Sequence, residues 1–321
     1  MALNKKYVLN PIKSHYIARM RSSSLQAYHQ LFESVEKPFL YTAPWWLDAT
    51  CGIGGWNAVI QYNDEQPMAG LAFHQTSIRG LSAIITPPLT QWVSILSVDK
   101  LSFPVLGNLL SKLPATPIFD LTLKKIADVV VQDAHFPIDL RYSFILPYVA
   151  DEGLVSKGYN DGLRHKLRQA KNKYSVEVTK DISTFIELCH SSYQQQNMKT
   201  PPWFDAVLPR VFESLNSHQV GQLVLAFNQG KAIAGVLTAW DAHSTYYIAG
   251  GRAGGDESRA AHSILLDEAI LKAHHRKTDF DFEGSMHPGI ASFFQSFGAS
   301  PTAYWHIKKY RGLGKIWSAL R

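Results

Sequence analysis

The chain reads as an α+β protein with mixed sheets, arranged as two tandem domains, and three observations predict this. A gapless internal match joins AVIQYNDEQPMAGLAF, from Ala58, to LVLAFNQGKAIAGVLT, from Leu223: Val59 aligns with Val224, Asn63 with Asn228, and Ala69-Gly70 with Ala234-Gly235. Each copy is an apolar run, a turn and a second apolar run, the pattern of a β-hairpin. A Pro-Trp signal precedes both copies, PWWLDA at Pro44 and PPWFDA at Pro201, so the order of features repeats too. The third observation is bulk: 321 residues, 46% hydrophobic and 18% charged, make about two globular domains able to bury a sizeable core.

The join is expected in ADEGLVSKGYND, a polar stretch with two glycines that dissects the chain into domains 1–155 and 156–321. Before it, DLRYSFILPYV reads as a strand. After it, GLRHKLRQAKNK sets Leu163, Leu167 and Ala170 on one helical face and Arg164, Lys166, Arg168, Lys171 and Lys173 around the rest. Such a helix packs by its apolar stripe, and its basic exterior is either solvated or a phosphate contact; HIKKYRGLGKIWSALR is a second basic stretch. Helices are predicted over Ile182 to Gln196, Trp203 to Asn216 and Glu257 to His275 from their apolar spacing. The strand STYYIAGG precedes the last of these, and the strand DFDFEG, the helix PGIASFFQSFG and the strand TAYWHIKKY follow it. Antiparallel hairpins feeding a strand–helix–strand crossover require a mixed sheet.

Several function classes are disfavoured. MALNKKYVLNPIK lacks an apolar stretch behind its charges, and no run reaches the roughly 18 apolar residues of a membrane span, so no transmembrane segment and a cytoplasmic location are expected. Cys51 and Cys189 are too few for a disulfide framework and too far apart for metal-ligand spacing; reduced buried thiols are the expectation. A net charge of +6 and a pI near 9.1 favour an anionic partner.

The stretch DFDFEGSMHPGIASFFQSFGA concentrates the chemistry. Strand alternation sends Asp279, Asp281 and Glu283 to one face and Phe280 and Phe282 to the other. Carboxylates about 7 Å apart along one strand diverge, so no metal site is expected there. Gly284 allows a sharp turn that opens the backbone near Glu283 to a substrate, and Ser285 or His287 can cap a helix begun by Pro288. Phe293, Phe294 and Phe297 fall within one and a half turns, as core rings do.

The run of a hairpin, YYIAGG, a long helix, DFDFEGS, GIASFFQSFGA and an aromatic closing strand resembles the second half of the FemAB-like group of the GNAT acyltransferase superfamily, most specifically over Tyr246 to Tyr310. The resemblance implies tandem GNAT-like domains with the active site in the second. It also implies transfer of an acyl or aminoacyl group to an amine, which in active members passes from tRNA to a peptidoglycan precursor. Acyl-CoA or aminoacyl-tRNA is then the co-substrate, and tRNA and an amine acceptor are the expected partners; the alternatives are an acyl-CoA-dependent N-acetyltransferase and a non-catalytic binding protein. Amine attack needs a base, an oxyanion donor and positioning. On the resemblance Glu283 is the base or amine holder, Asp281 its alternative, and Tyr247 or Tyr246 a phenolic donor. Arg252, in GGRAGG before the long helix, is an anion-binding candidate. Ser285, His287, Phe294, Gln295 and Trp46 complete the expected binding residues. Two departures stand out: ESRAAHSILL carries Ser258, Ala260 and His262 where a CoA cradle has glycines, and Gln295 stands where cell-wall branching enzymes carry Lys.

Overall fold

The computed structural model describes residues 11–126, 137–284 and 286–315. Ser285, the first ten residues and the end of the basic C-terminal stretch, 316–321, lie outside them. The first half runs α1 (Pro11–Ser34), α2 (Pro44–Cys51), β1 (Trp56–Asn63), β2 (Gln66–Ile78), β3 (Leu81–Ile85), β4 (Ile95–Ser97), α3 (Phe103–Ser111), β5 (Ile118–Leu123) and β6 (Ile138–Leu146). Then come α4 (Glu152–Val155), α5 (Asp161–Ala170), β7 (Ser175–Val178), α6 (Ile182–Gln195), α7 (Phe204–Ser217), β8 (Gly221–Asn228), β9 (Lys231–Trp240), β10 (Ser244–Arg252), α8 (Asp256–Arg276), β11 (Asp279–Asp281), α9 (Pro288–Ser296) and β12 (Ser300–Tyr310). Among the described residues no helix is long and apolar enough to cross a membrane.

The duplication is visible in backbone detail. β1 and β2 close through Asp64 and Glu65, β8 and β9 through Gln229 and Gly230, and all four turn residues have positive φ, as a hairpin turn matched to strand twist requires. The bulges also coincide: pairing slips between Gln61 and Tyr62 in one copy and between Ala226 and Phe227 in the other, which are aligned positions. Gly70 and Gly235 recur for one reason. A Cβ on Gly70 would lie 3.0 Å from Ile60 and 3.1 Å from Leu31 of α1; on Gly235 it would lie 2.6 Å from Leu225 and 2.7 Å from Phe185 of α6. Each glycine lets a helix settle onto its hairpin. The two Pro-Trp signals open onto α2 and α7, which pack on each other, with the Trp45 ring stacked 4.3 Å from His218.

All twelve described strands form one sheet, in the order β1-β2-β3-β5-β12-β6-β11-β10-β9-β8-β7, with β4 beside β2. Two parallel pairs, β3 with β5 and β10 with β11, carry the crossovers through α3 and α8. Between them lie the closing strands, and these are exchanged: β12, last in the chain, pairs with β5, while β6 pairs with β11. Sheet membership therefore crosses the polar segment near residue 155 in both directions. One sheet face of the second half buries Phe280, Phe282, Phe294 and Phe297 under α5, α8 and α9. The opposite face buries an aromatic cluster of Tyr41, Trp46, Trp92, Tyr246 and Phe185 beneath α2, α6 and α7. As the helical spacing predicts, α5 buries Leu163 and Ala170 and leaves Lys166, Arg168, Lys171 and Lys173 exposed beside it. Both thiols are free, and burial pushes each up to about 12.

Candidate active site

The strand predicted as DFDFEG pairs with β10 only from Asp279 to Asp281. Beyond it, Phe282 N–H donates to the Phe144 carbonyl (2.9 Å) and Phe144 N–H donates to the Glu283 carbonyl (3.2 Å), so β6 carries the segment onward. Glu283 then takes φ 59°, a left-handed conformation uncommon away from glycine, and turns the chain out of the sheet. Its Oε1 is buried without a partner, and burial lifts the carboxyl pKa well above the usual carboxylate value. A buried carboxyl group with an unsatisfied oxygen at a strand end is a costly arrangement for structure alone.

Asp281 is 2% exposed. It accepts hydrogen bonds from the Ser143 hydroxyl and from the Glu283 N–H (2.8 Å), and burial pushes it up to about 6 against those bonds and the charge of Lys124. The Lys124 ammonium lies over Trp92 (4.1 Å) and Phe39 (4.6 Å), and desolvation lowers its pKa.

Gly284 carries this strand end into a cleft of about 430 Å³, lined also by Thr90, Gln91, Asp120, Arg141, Tyr304 and His306. A Cβ on Gly284 would lie 2.1 Å from Gln91 Nε2 and 2.5 Å from the Tyr142 carbonyl, so only glycine fits there. The Tyr304 hydroxyl receives a hydrogen bond from Gln91 (2.7 Å), its register partner across the strands is Arg141, and it feels the charges of Arg141, Glu283 and Asp281. Having accepted from Gln91, it keeps its own proton to donate. Deeper in, His306, 2% exposed, bonds Asp120 through Nε2 at 2.6 Å, Tyr310 bonds the same carboxylate at 3.1 Å, and His306 Nδ1 is buried without a partner.

The other expected residues lie elsewhere. Tyr246 is buried in the aromatic cluster, with its hydroxyl on Asp241 (2.8 Å). Tyr247, one residue beyond the last β10–β11 pair, packs on the sheet face covered by α8 and α9. There, past a bulge between Tyr247 and Ala249, its hydroxyl meets His262 Nε2 at 3.0 Å, and Phe293 stacks on His262. Burial pushes His262 down to about 4, so its ring is neutral at physiological pH. This pair packs so closely on β10 that a Cβ on Gly250 would come within 1.8 Å of the Tyr247 hydroxyl. Arg252 lies six residues along β10 from Tyr246, about 20 Å away, where it binds the Gln195 side-chain oxygen and donates its N–H to Ser192 (2.8 Å). Glu283 and Arg252 are thus two separate places. Phe294 is core, stacked on Phe282 at 4.9 Å; Gln295 and His287 are exposed at α9. Trp46 is fully buried, but its Nε1 bonds Thr90 (2.9 Å) and so backs the cleft wall.

Sequence reasoning missed Gln91, Asp120, Arg141, Tyr304 and His306. A signal existed: TAYWHIKKY alternates Tyr304, His306, Lys308 and Tyr310 with Trp305 and Ile307, a polar face opposite an apolar one.

Known proteins share this fold. The family model of the acetyltransferase (GNAT) domain matches residues 159–288. FemX is similar in fold, with a TM-score of 0.65 at 13% identity over 87% of this chain and 95% of that one. L-PGS from Bacillus licheniformis gives a TM-score of 0.55 at 11% identity over 90% and 93% of the two chains. The C-terminal domain of a candidate lysylphosphatidylglycerol synthetase from Agrobacterium fabrum gives 0.55 at 11% identity over 92% and 96%. No curated protein matches the sequence. The tandem GNAT-like fold and the FemAB-like resemblance read from the sequence are borne out.

Proposed function

From the match of the acetyltransferase (GNAT) domain model to residues 159–288 we propose that the protein is an N-acyltransferase whose acceptor amine enters the cleft beside Glu283. One observation carries this reading: a buried carboxyl oxygen without a partner stands at a left-handed strand end beside Gly284, which lines a cleft of about 430 Å³. The Glu283 carboxylate takes the proton from the attacking amine. The new N–C bond forms as the C–O bond of an acyl ester breaks, and the same proton can pass to the departing oxygen. Tyr304 donates to the oxygen on which charge develops, and Gln91 and Arg141 hold Tyr304 in place.

The donor we favour is an aminoacyl ester carried by tRNA. Tyr247 and His262 pack together beside the start of α8, where a CoA cradle would need open space, and α5 presents a basic surface. FemX and L-PGS share the fold, which is compatible with aminoacyl transfer. The acceptor class that fits is an amine on a cell-envelope precursor.

The test supplies purified protein with radiolabelled aminoacyl-tRNA or with acetyl-CoA, each with a panel of amine-bearing envelope precursors. Label should move from tRNA to acceptor, and Glu283→Gln should lower the rate by about 10²–10⁴-fold while leaving tRNA binding intact. Transfer from acetyl-CoA alone would overturn the donor assignment, and undiminished transfer by Glu283→Gln would overturn the base assignment.

A further inference from the structure

On the far side of the second half from the cleft, α4 meets the last turn of α8. Glu152 of α4, in the segment linking the two halves, puts Oε2 3.0 Å from His275 Nε2 and 3.9 Å from His274 Nδ1. One ligand atom from each residue lies within 4.8 Å of the other two. Hydrogen bonds within the cluster leave it incomplete. His274 is only 13% exposed, and both its ring nitrogens are buried without a hydrogen-bond partner. An imidazole with two unsatisfied nitrogens is costly, and the nitrogen facing Glu152 is aimed at the point where the three ligand atoms converge.

The surroundings suit a cation. His274 and His275 stand at the C-terminus of a helix of 21 residues, where the unpaired carbonyls carry partial negative charge. The neighbouring cations face other groups: Arg276 lies 3.8 Å over the Trp240 ring, and Lys272 bonds Gln222 at 2.8 Å. Glu152 and His275 are 55% and 64% exposed, so an ion can reach the site from solvent.

We propose that Glu152, His274 and His275 bind one divalent transition-metal ion of the zinc class. Two imidazole nitrogens and one carboxylate oxygen are a donor set that such ions favour over calcium or magnesium, and tetrahedral coordination leaves a position for water. Metal–ligand bonds of about 2.0–2.2 Å place tetrahedral neighbours a little over 3 Å apart, so the 3.0 Å contact between Glu152 and His275 opens slightly while the wider separations, at most 4.8 Å, close by up to about 1.5 Å. The ion would pin the linking segment to the helix that runs directly into Asp279, Asp281 and Glu283. It would therefore brace the strand end from behind, without touching the cleft.

The full-length protein, stripped with chelator, is titrated with cobalt chloride and followed by visible absorption, then with zinc chloride and followed by calorimetry. One ion per chain is expected, with the intense visible bands of a tetrahedral cobalt site and a higher melting temperature with zinc. Glu152→Gln and His275→Ala, both at exposed positions, should each weaken binding at least about tenfold, as even outer-shell changes do at metal sites, whereas His165→Ala, on α5, should bind like the parent. His274→Ala adds a third measurement at the buried ligand. Failure of the parent to bind, or unchanged affinity in both Glu152→Gln and His275→Ala, would overturn the site.

Discussion

Replacing Asp281 with Asn tests whether the acidic strand end holds a proton that the unfolded chain releases. Burial lifts this carboxyl from 3.8 to about 6. Between those values the native state binds more protons than the unfolded state, so stability falls as pH rises through the window. The contribution is fully present below about pH 4 and lost above about pH 6. It amounts to about 3 kcal/mol, with a slope of at most about 1.4 kcal/mol per pH unit. The substituted amide keeps an oxygen for the Ser143 hydroxyl and the Glu283 N–H but has no titrating proton to lose. Urea unfolding, followed by tryptophan fluorescence from about pH 4 to about pH 7, should show the parent losing about 3 kcal/mol relative to Asp281→Asn. Glu283, also raised by burial, contributes the same further fall to both proteins. Parallel stability curves for the two proteins would refute the reasoning.

Three further outcomes follow from the packing and the cleft. Gly235→Ala places a methyl 2.6 Å from Leu225 and 2.7 Å from Phe185; the overpacking should cost about 1–3 kcal/mol, read as a lower urea midpoint at unchanged m-value. Gly284→Ala meets the Tyr142 carbonyl, which cannot rotate away, and displaces Gln91 from Tyr304. Transfer should therefore fall more than about tenfold, equivalent to about 1.4 kcal/mol of barrier, in a protein that retains its circular dichroism; unchanged turnover would separate the strand end from catalysis. Arg141→Gln removes a charge that holds the Tyr304 hydroxyl. The kcat should fall while tRNA affinity is unaltered, and equal losses in both would point to a global change.

Much of the second half was legible because its signals are local. Pro288 at the start of α9, the apolar spacing of α8 and the alternation in DFDFEG each act within a few residues of where they are read. Glu283 could be singled out for the same reason: a carboxylate before a glycine, at the end of an alternating strand, announces a turn. The cleft was not legible, because its walls are brought together by strand pairing across nearly 200 residues. Gln91 reaches Tyr304 across 213 positions, and His306 reaches Asp120 across 186. No periodicity records such a pairing. Arg252 fails as a neighbour of Glu283 on the complementary ground: adjacency in a motif-rich stretch does not shorten the run of β10 between them.

The exchanged closing strands explain why two aspartates recur in matched settings. Ile85 faces Asp120 across the parallel pair β3 and β5, and Tyr246 faces Asp281 across β10 and β11, each pair at the last register position of its crossover. Each carboxylate is then held from a strand that the other half of the chain supplies: Asp281 by Ser143 of β6, and Asp120 by His306 of β12. A duplication whose closing strands stayed at home would satisfy each aspartate within its own half. Exchange instead makes each buried carboxylate depend on both halves being folded, because removing either closing strand leaves a buried charge without its partner. The same exchange sets β12 and β6 side by side at the centre of the sheet, which is where Tyr304 and Arg141 become neighbours. The cleft is therefore a product of the duplication: neither half contains it, and the polar face that lines it exists only where the two closing strands meet.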